Sequence, residues 1–340
     1  MRHAIFGRRF PLLMCLAMAV AVSAAGSLLV AVAQPVAAQT LKPWRNALIE
    51  PKADAGFFLM AAQRGFFEKE GLKVETLKVK DDTIGFKALL AGEVDSHLGT
   101  SGALAAVARG ADVKFVGCPW HGIPYVILGR PGLTSFADLR GKSIAASAPG
   151  TPPDMVAKAA LAMFKLPQSA VKLAAVGADR ERFNALLGGV VDAAVVSNEY
   201  LPLPAAKSLN VLLEGRQALP KSVRFCVLMT GKTLRDRRED AIRFMMAEIK
   251  SFRYALAHRE DTIKVTQDGT EAKADDPRPA FVFDDAVRTG VVEPDFPIPV
   301  ENLVWMQQQL VELGQITKSG GVEQAVDNSI RAEALKRIDK

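Results

Sequence analysis

The sequence predicts an α/β fold with about two domain-sized cores, each built on a mainly parallel sheet flanked by helices. Short apolar runs alternate with segments of helical periodicity, which is the pattern of successive βαβ units. The alternation breaks at Gly129-Arg130-Pro131-Gly132 and then starts again. A length of 340 residues, of which 49% are hydrophobic, suits two cores and excludes a disordered chain.

Residues 1–38 indicate an export signal that is cleaved. Three arginines form a basic start, an uncharged apolar run follows over 12–33, and small residues occupy 36–38. We expect cleavage after Ala38, with an uncleaved membrane anchor as the alternative. The remaining chain is then a soluble protein outside the cytoplasm.

Charge and cysteine content narrow the function further. The 43 Lys+Arg and 37 Asp+Glu are interspersed without a basic stripe, so no nucleic-acid partner is expected. Cys118 and Cys226 follow the signal and lie in apolar, strand-like runs. We expect both to be buried free thiols, with a disulfide as the alternative that an exported protein allows.

The first set of elements ends at the break. Apolar runs predict its strands, and glycines such as Gly65 and Gly110 end two of the helices between them. The predicted strands are 44–49, 72–79, 94–98, 113–118 and 124–129, and the predicted helices are 56–65, 83–91 and 101–109.

The second set repeats the alternation and then becomes mostly helical. Helix 234–258 is the clearest element, because Ile242, Met245 and Ile249 recur at helical spacing. The polar stretch 267–279 predicts a surface loop. The other predicted strands are 142–146, 171–176, 190–195, 210–213 and 224–230, and the other predicted helices are 152–164, 179–187 and 300–313.

Motifs of cofactor, metal and catalytic chemistry are absent from the sequence. Gly141-Lys142-Ser143 and Gly231-Lys232-Thr233 each lack the glycine that a phosphate-binding loop needs five residues earlier. The four histidines are scattered, and no His/Cys pair has metal-ligand spacing. We therefore predict no cofactor, no metal site and no catalytic residue, so an enzyme is not expected.

The loops after the strands are the candidate binding surface, because open α/β sheets bind ligands at the carboxyl ends of their strands. The residues predicted to bind a ligand are Glu50, Asp54, Phe57, Thr100, Ser101, Trp120, His121, Ser147, Gly150, Thr151, Asn198 and Glu199.

Two of these loops begin helices. Backbone N–H groups at Ser101 and Thr151, with Gly102 and Gly150 allowing close approach, would cradle an anionic group. The alternative is that these residues only cap their helices. Both loops facing one cleft would favour the anion site.

The aromatic and acidic candidates suit other ligand groups. Phe57 and Trp120 would stack on a planar ligand or lie in the core. His121 is expected as a hydrogen-bonding partner. Acidic side chains such as Glu50 and Asp54 suit an amine or a ring N–H, with solvated loop charges as the alternative.

Four segments together resemble the sulfonate, nitrate, taurine and thiamine-precursor group of periplasmic binding proteins. They are AAQRGFFEKEGLKVE at 61–75, ALLAGEVD at 88–95, SFADLRGK at 135–142 and GVVDAA at 189–194. The resemblance implies a two-lobed periplasmic binding protein type II fold. It also implies the solute-binding component of an ABC importer, a monomer in the periplasm whose partners are a small-molecule ligand and the inner-membrane permease.

The resemblance also predicts how the lobes divide the chain. Lobe 1 would comprise 39–130 plus 226–340, lobe 2 would comprise 131–225, and the hinge crossings would lie near 128–133 and 224–230. The expected ligand is a small organic anion such as a sulfonate, a carboxylate or an aromatic acid. The alternatives are a pyrimidine-type thiamine precursor or, on the same fold, an enzyme such as a lyase or a pyrimidine-precursor synthase.

Overall fold

The computed structural model describes residues 40–50 and 52–340, so the predicted export signal at 1–38 lies outside the described residues. All ten predicted strands are present within a few residues of their expected bounds. They are β1 (Lys42–Ile49), β2 (Leu72–Val79), β3 (Ser96–Gly99), β4 (Val113–His121), β5 (Tyr125–Gly129), β6 (Ser143–Ala146), β7 (Lys172–Ala175), β8 (Ala193–Ser197), β9 (Asn210–Glu214) and β10 (Val223–Thr230).

The strands form two five-stranded sheets. The first has the order β2-β1-β3-β10-β4 and the second the order β7-β6-β8-β5-β9. We call each sheet with its flanking helices a lobe. Both sheets are mixed, where mainly parallel sheets were predicted. β10 runs antiparallel to β3 and β4, and β5 runs antiparallel to β8 and β9, because these two strands carry the chain into a sheet from the other lobe.

The chain passes between the sheets twice. It leaves the first sheet after β4 and enters the second with β5, so the first connection comprises 122–124. It returns between β9 and β10, over 215–222. Both connections lie a few residues before the predicted crossings, since the pairing of β5 places 125–129 in the second sheet. The lobe bounds themselves stay a prediction.

Helices cover both sheets and make up most of the C-terminal part. They are α1 (Ala55–Gln63), α2 (Phe66–Lys69), α3 (Asp82–Ala91), α4 (Ser101–Val107), α5 (Pro152–Met163), α6 (Asp179–Leu187), α7 (Gly215–Ala218), α8 (Gly231–Asp236), α9 (Arg238–Ala257), α10 (Arg259–Thr270), α11 (Arg278–Thr289), α12 (Val300–Glu312), α13 (Val322–Ala325) and α14 (Ser329–Ile338). None of the helices within 40–340 is long and apolar enough to span a bilayer.

Two helix predictions were wrong in detail. The predicted helix 234–258 is divided, because Arg237 leaves the helical conformation between α8 and α9. The predicted loop 267–279 is helical as far as Thr270, where Thr266 and Thr270 hydroxyls bond to carbonyls one turn earlier. Polar residues can therefore continue a helix when its other face is packed.

The core of the first lobe is rich in aromatic rings. Trp44 stacks on Phe244, and Phe57 lies against Trp120, Phe252 and Phe283. Behind it, Cys118 of β4 and Cys226 of β10 form a disulfide, which corrects the expectation of free thiols. The two strands are neighbours in the sheet, and that adjacency could not be seen from a sequence separation of 108 residues.

Candidate functional site

A cavity of about 280 Å³ lies between the two lobes. The first lobe contributes the carboxyl ends of β1 and β3 and the starts of α1, α3 and α4. The second lobe contributes the starts of α5 and α6, and both connections between the sheets and α12 complete the walls. Its position agrees with the rule that α/β sheets bind ligands beyond the carboxyl ends of their strands.

A buried polar network forms the second-lobe wall. The Asp179 carboxylate accepts hydrogen bonds from the Lys52 ammonium at 2.5 Å and from the Ser197 N–H at 3.1 Å, and it also pairs with Arg182. Arg182 is 2% exposed and donates further to the carbonyls of Val195 and Gly177. Lys52 belongs to the first lobe, so this ion pair bridges the lobes.

The network changes the protonation equilibria of its members. Burial alone would raise the pKa of Asp179, but Lys52 and Arg182 outweigh it and lower the pKa below its usual value. Burial would likewise lower the pKa of Lys52, but the charges of Asp179 and Glu199 raise it well above its usual value. Both groups are therefore charged at neutral pH.

Arg224 is the third cation of the cavity, and it is neutralised within the first lobe. Its guanidinium lies 2.5 Å from the Asp54 carboxylate and stacks over the rings of Trp120 and Phe225, at 5.1 and 4.6 Å from their centroids. The Thr100 hydroxyl donates a hydrogen bond to the backbone carbonyl of Arg224. Lys52, Arg182 and Arg224 are thus all committed to carboxylates of the chain itself.

Some N–H groups at the helix N-termini of the cavity are also paired within the chain. The Gly102 N–H in the first turn of α4 donates to the Asp82 carboxylate at 2.7 Å, and the Gly150 N–H donates to Asp154 at 2.9 Å. Helix α5 begins with Pro152 and Pro153, which have no N–H to offer. The N–H groups of Gly102 and Gly150 are therefore paired within the chain, and the N–H cradle for an anion stays a prediction.

Two carboxylates remain open at the first-lobe wall. Glu50 and Asp81 line the cavity and take part in no ion pair among the residues that the structure describes. Asp81 caps α3 by accepting the Ile84 N–H at 3.0 Å. The Glu50 N–H donates to the carbonyl of Val79, so the ends of β1 and β2 place both acids at one edge of the sheet.

The rest of the lining is largely apolar, with one isolated hydroxyl. Phe58, Phe225 and Trp305 present ring surface to the cavity. Ser222, in the returning connection, is 3% exposed, and its hydroxyl oxygen has no hydrogen-bond partner within the described part of the chain. A buried hydroxyl without a partner is unfavourable unless a bound molecule or water supplies one.

Five predicted binding residues line this cavity. The structure places them together although they follow different strands of both lobes. They are Glu50, Asp54, Ser101, Ser147 and Thr151. Their contact with a ligand stays a prediction.

Three predicted binding residues belong to the first-lobe core. Phe57 and Trp120 are 1% and 3% exposed and pack edge to face at 5.4 Å. Thr100 is 3% exposed and bonds to the Arg224 carbonyl. The loop around Trp120 proved to be the end of β4, a strand that is buried on both faces, so the core alternative was correct for both aromatic residues.

The other four predicted residues lie outside the cavity. His121 and Asn198 line a second pocket of about 260 Å³, formed with α11, where burial lowers the pKa of His121. Glu199 accepts the Ala53 N–H at 3.1 Å in a third pocket, and burial raises its pKa. Gly150 has a φ of +86°, a left-handed conformation that favours glycine, so its lack of a side chain serves the turn before α5.

Sequence reasoning missed Lys52, Phe58, Asp179, Arg182 and Ser222. Lys52 and Phe58 stand beside residues that were chosen, and only the directions of their side chains separate the two groups. Asp179 was correctly predicted to begin a helix. A carboxylate in the first turn of a helix that follows a strand is a signal by which it could have been chosen as a site residue. No pattern in the sequence distinguishes Ser222.

The comparisons with known proteins agree with this fold. The family described as NMT1/THI5 like matches residues 52–262, more than half of the chain. An aliphatic sulfonates-binding protein of Bacillus subtilis (strain 168) is 25% identical over 296 residues, which cover 82% of this chain and 84% of that protein.

Solved structures resemble the chain over most of its length. The periplasmic aliphatic sulphonate binding protein SsuA of Escherichia coli has a TM-score of 0.69 at 18% identity, with 86% of this chain and 99% of that chain covered. The periplasmic nitrate-binding protein NrtA of Synechocystis PCC 6803 also has a TM-score of 0.69, at 13% identity, with 88% and 89% covered. These likenesses confirm the expected two-lobed α/β architecture.

Proposed function

Because the chain belongs to the NMT1/THI5-like family, we propose that it is the solute-binding component of an ABC importer. It works in the periplasm, captures a small organic solute between its lobes and passes it unchanged to an inner-membrane permease. The observation that carries this proposal is the cavity of about 280 Å³ whose walls come from both lobes. A solute held there contacts both lobes at once and so favours their closed arrangement.

The lobes move about the two connections in this proposal. Residues 122–124 and 215–222 join the sheets, and the Lys52–Asp179 ion pair and the Ala53–Glu199 hydrogen bond cross the cleft at its edge. Separating the lobes breaks both contacts without unfolding either sheet. The protein acts as a monomer, since both walls of the cavity belong to one chain.

Two ligand classes have support. The names of the relatives favour the small organic anion that the sequence predicted, such as a sulfonate. The open carboxylates of Glu50 and Asp81 favour the second candidate, a pyrimidine-type thiamine precursor with its ring nitrogens and amine. In both cases the rings of Phe58, Phe225 and Trp305 pack against the apolar part of the solute.

Thermal-shift measurements on the purified protein with a panel of sulfonates, carboxylates, amines and pyrimidines test this function. A solute that binds only the folded protein raises the melting temperature, by an amount that grows with its concentration. Small-angle scattering should show a smaller radius of gyration with that solute, and mass spectrometry should recover it unchanged. Chemical turnover of the solute, or a panel that changes neither melting nor scattering, contradicts the proposal.

A further inference from the structure

We infer that the cavity selects a solute that carries a protonated amine on an apolar body, in preference to an anion. The inference rests on the proposed function and concerns the charge of the ligand. Its starting point is that a bound ion needs an uncommitted partner of opposite charge, because taking an unpaired charge out of water is costly.

Among the residues that the structure describes, no cation of the cavity is left free to pair with an anion. The cations that line the cavity are Lys52, Arg182 and Arg224, and each is paired with Asp179 or Asp54. Binding a sulfonate through any of them requires breaking an existing ion pair. The Lys52 and Arg224 pairs have N···O distances of 2.5 Å, and Arg182 is 2% exposed. At the helix starts, the N–H groups of Gly102 and Gly150 are taken by Asp82 and Asp154, and Pro152 and Pro153 have none.

The cavity offers an ammonium group two carboxylates that are not already in ion pairs with other described side chains. Glu50 and Asp81 stand at the same edge of the first sheet, and each keeps at least one carboxylate oxygen free of hydrogen bonds from the described residues. Five acidic and three cationic side chains line the cavity in all, so its electrostatic potential attracts positive charge. A second feature independent of the acids is the unpartnered Ser222 hydroxyl, which can accept from an N–H or donate to a ring nitrogen.

The apolar lining sets the body of the solute. Phe58, Phe225 and Trp305 face the cavity, and aromatic rings bind planar apolar groups and also favour a nearby ammonium. The volume of about 280 Å³ admits one small ring with a short substituent. The structure therefore assigns three contacts to the ligand: carboxylates to the amine, rings to the body and Ser222 to a further polar atom.

A matched series of probes tests the charge. 2-Phenylethylamine, 3-phenylpropionate and 2-phenylethanesulfonate share one apolar skeleton and differ in their charged group. Calorimetric titration should give a dissociation constant at least about tenfold lower for the amine than for either anion. An equal or tighter binding of the sulfonate overturns the inference while leaving the proposed function in place.

Variants locate the effect. Glu50→Gln and Asp81→Asn should each weaken binding of 2-phenylethylamine about three- to tenfold, and asparagine keeps the N-cap of α3, so the fold should not change. Glu75→Gln, on the exposed side of β2, is the matched control and should bind as the unchanged protein does. Ser222→Ala should weaken binding of probes that carry a second polar atom.

If none of the three probes binds, the charge of the solute that co-purifies with the protein decides whether the inference holds. Native mass spectrometry that identifies an amine or another cation supports the inference, and an anion refutes it. A protein that carries no solute and responds to no member of the wider panel refutes the proposed function instead, so the two failures can be told apart.

Discussion

The two lobes support their walls of the cavity in different ways. Behind the first-lobe wall lies an apolar cluster in which Phe57, Trp120 and Phe252 pack together, and the Cys118–Cys226 disulfide joins two strands of the same sheet. Behind the second-lobe wall lies the polar network around Asp179, with an apolar cluster that contains Phe183 and Tyr200 beneath it. The difference indicates that first-lobe wall residues can be exchanged singly, whereas the second-lobe wall combines binding and folding in the same side chains.

The largest loss of stability is expected from Phe57→Ala. Phe57 is 1% exposed and touches three other rings, so truncation should lower the free energy of unfolding by about 3–5 kcal/mol. Its neighbour Phe58 also contacts three rings, but it is only half-buried and lines the cavity, so Phe58→Ala should cost less stability, about 1–3 kcal/mol, and should also weaken solute binding. Urea unfolding and titration of both variants measure this division. Equal stability losses would contradict the separation of wall from core.

The next largest loss of stability is expected from removal of the disulfide. The bridge closes a loop over a sequence separation of 108 residues that contains the whole second sheet, and such links restrict the unfolded chain. A Cys118→Ala, Cys226→Ala variant should lose about 2–4 kcal/mol of unfolding free energy. Its solute affinity should stay unchanged, because neither residue lines the cavity. Reductant should destabilise the parent protein and leave the variant unaffected, and a parent that ignores reductant would argue against the bridge.

Asp179→Asn tests the second lobe. The substitution leaves Arg182 buried without its carboxylate and frees Lys52, so we expect a loss of about 2–3 kcal/mol together with weaker closure of the lobes. Asp54→Asn is the matched change in the first lobe. It should cost less, because Arg224 keeps its stacking on Trp120 and Phe225. A greater loss from Asp54→Asn than from Asp179→Asn would reverse the proposed contrast.

The sequence predicted the strands of this fold well and the site only in part. Short apolar runs bounded by turns identify a strand locally, which is why all ten were found. The mixed pairing of the sheets and the disulfide depend on which strands lie side by side, and no local pattern reports that.

The site residues also divide into those that a local sequence pattern indicates and those that depend on contacts in the folded chain. The predicted loops after the strands do contribute to the cavity, since Glu50, Ser147 and Thr151 line it. Phe57 and Phe58 cannot be separated by their type or position, because one helical step of about 100° turns one ring into the core and the other toward the cavity. Whether a cation is free or paired, which decides the ligand charge, also needs the contacts of the folded chain.

Glu248 is a buried acid of the first lobe that has none of the partners Asp179 has. It is 2% exposed and forms no ion pair within the part of the chain that the structure describes, and burial raises its pKa to about 8. Between its usual value of 4.5 and about 8 the folded protein holds a proton that the unfolded chain releases, so stability must fall as pH rises through this range. Glu248→Gln, which cannot ionise, should match the parent at pH 5 and exceed it by ~1 kcal/mol or more at pH 9, measured by urea unfolding. Glu301→Gln, an exposed change on α12, controls for charge alone, and parallel stability curves for the parent and Glu248→Gln would show that the first lobe supplies this carboxylate with a partner after all.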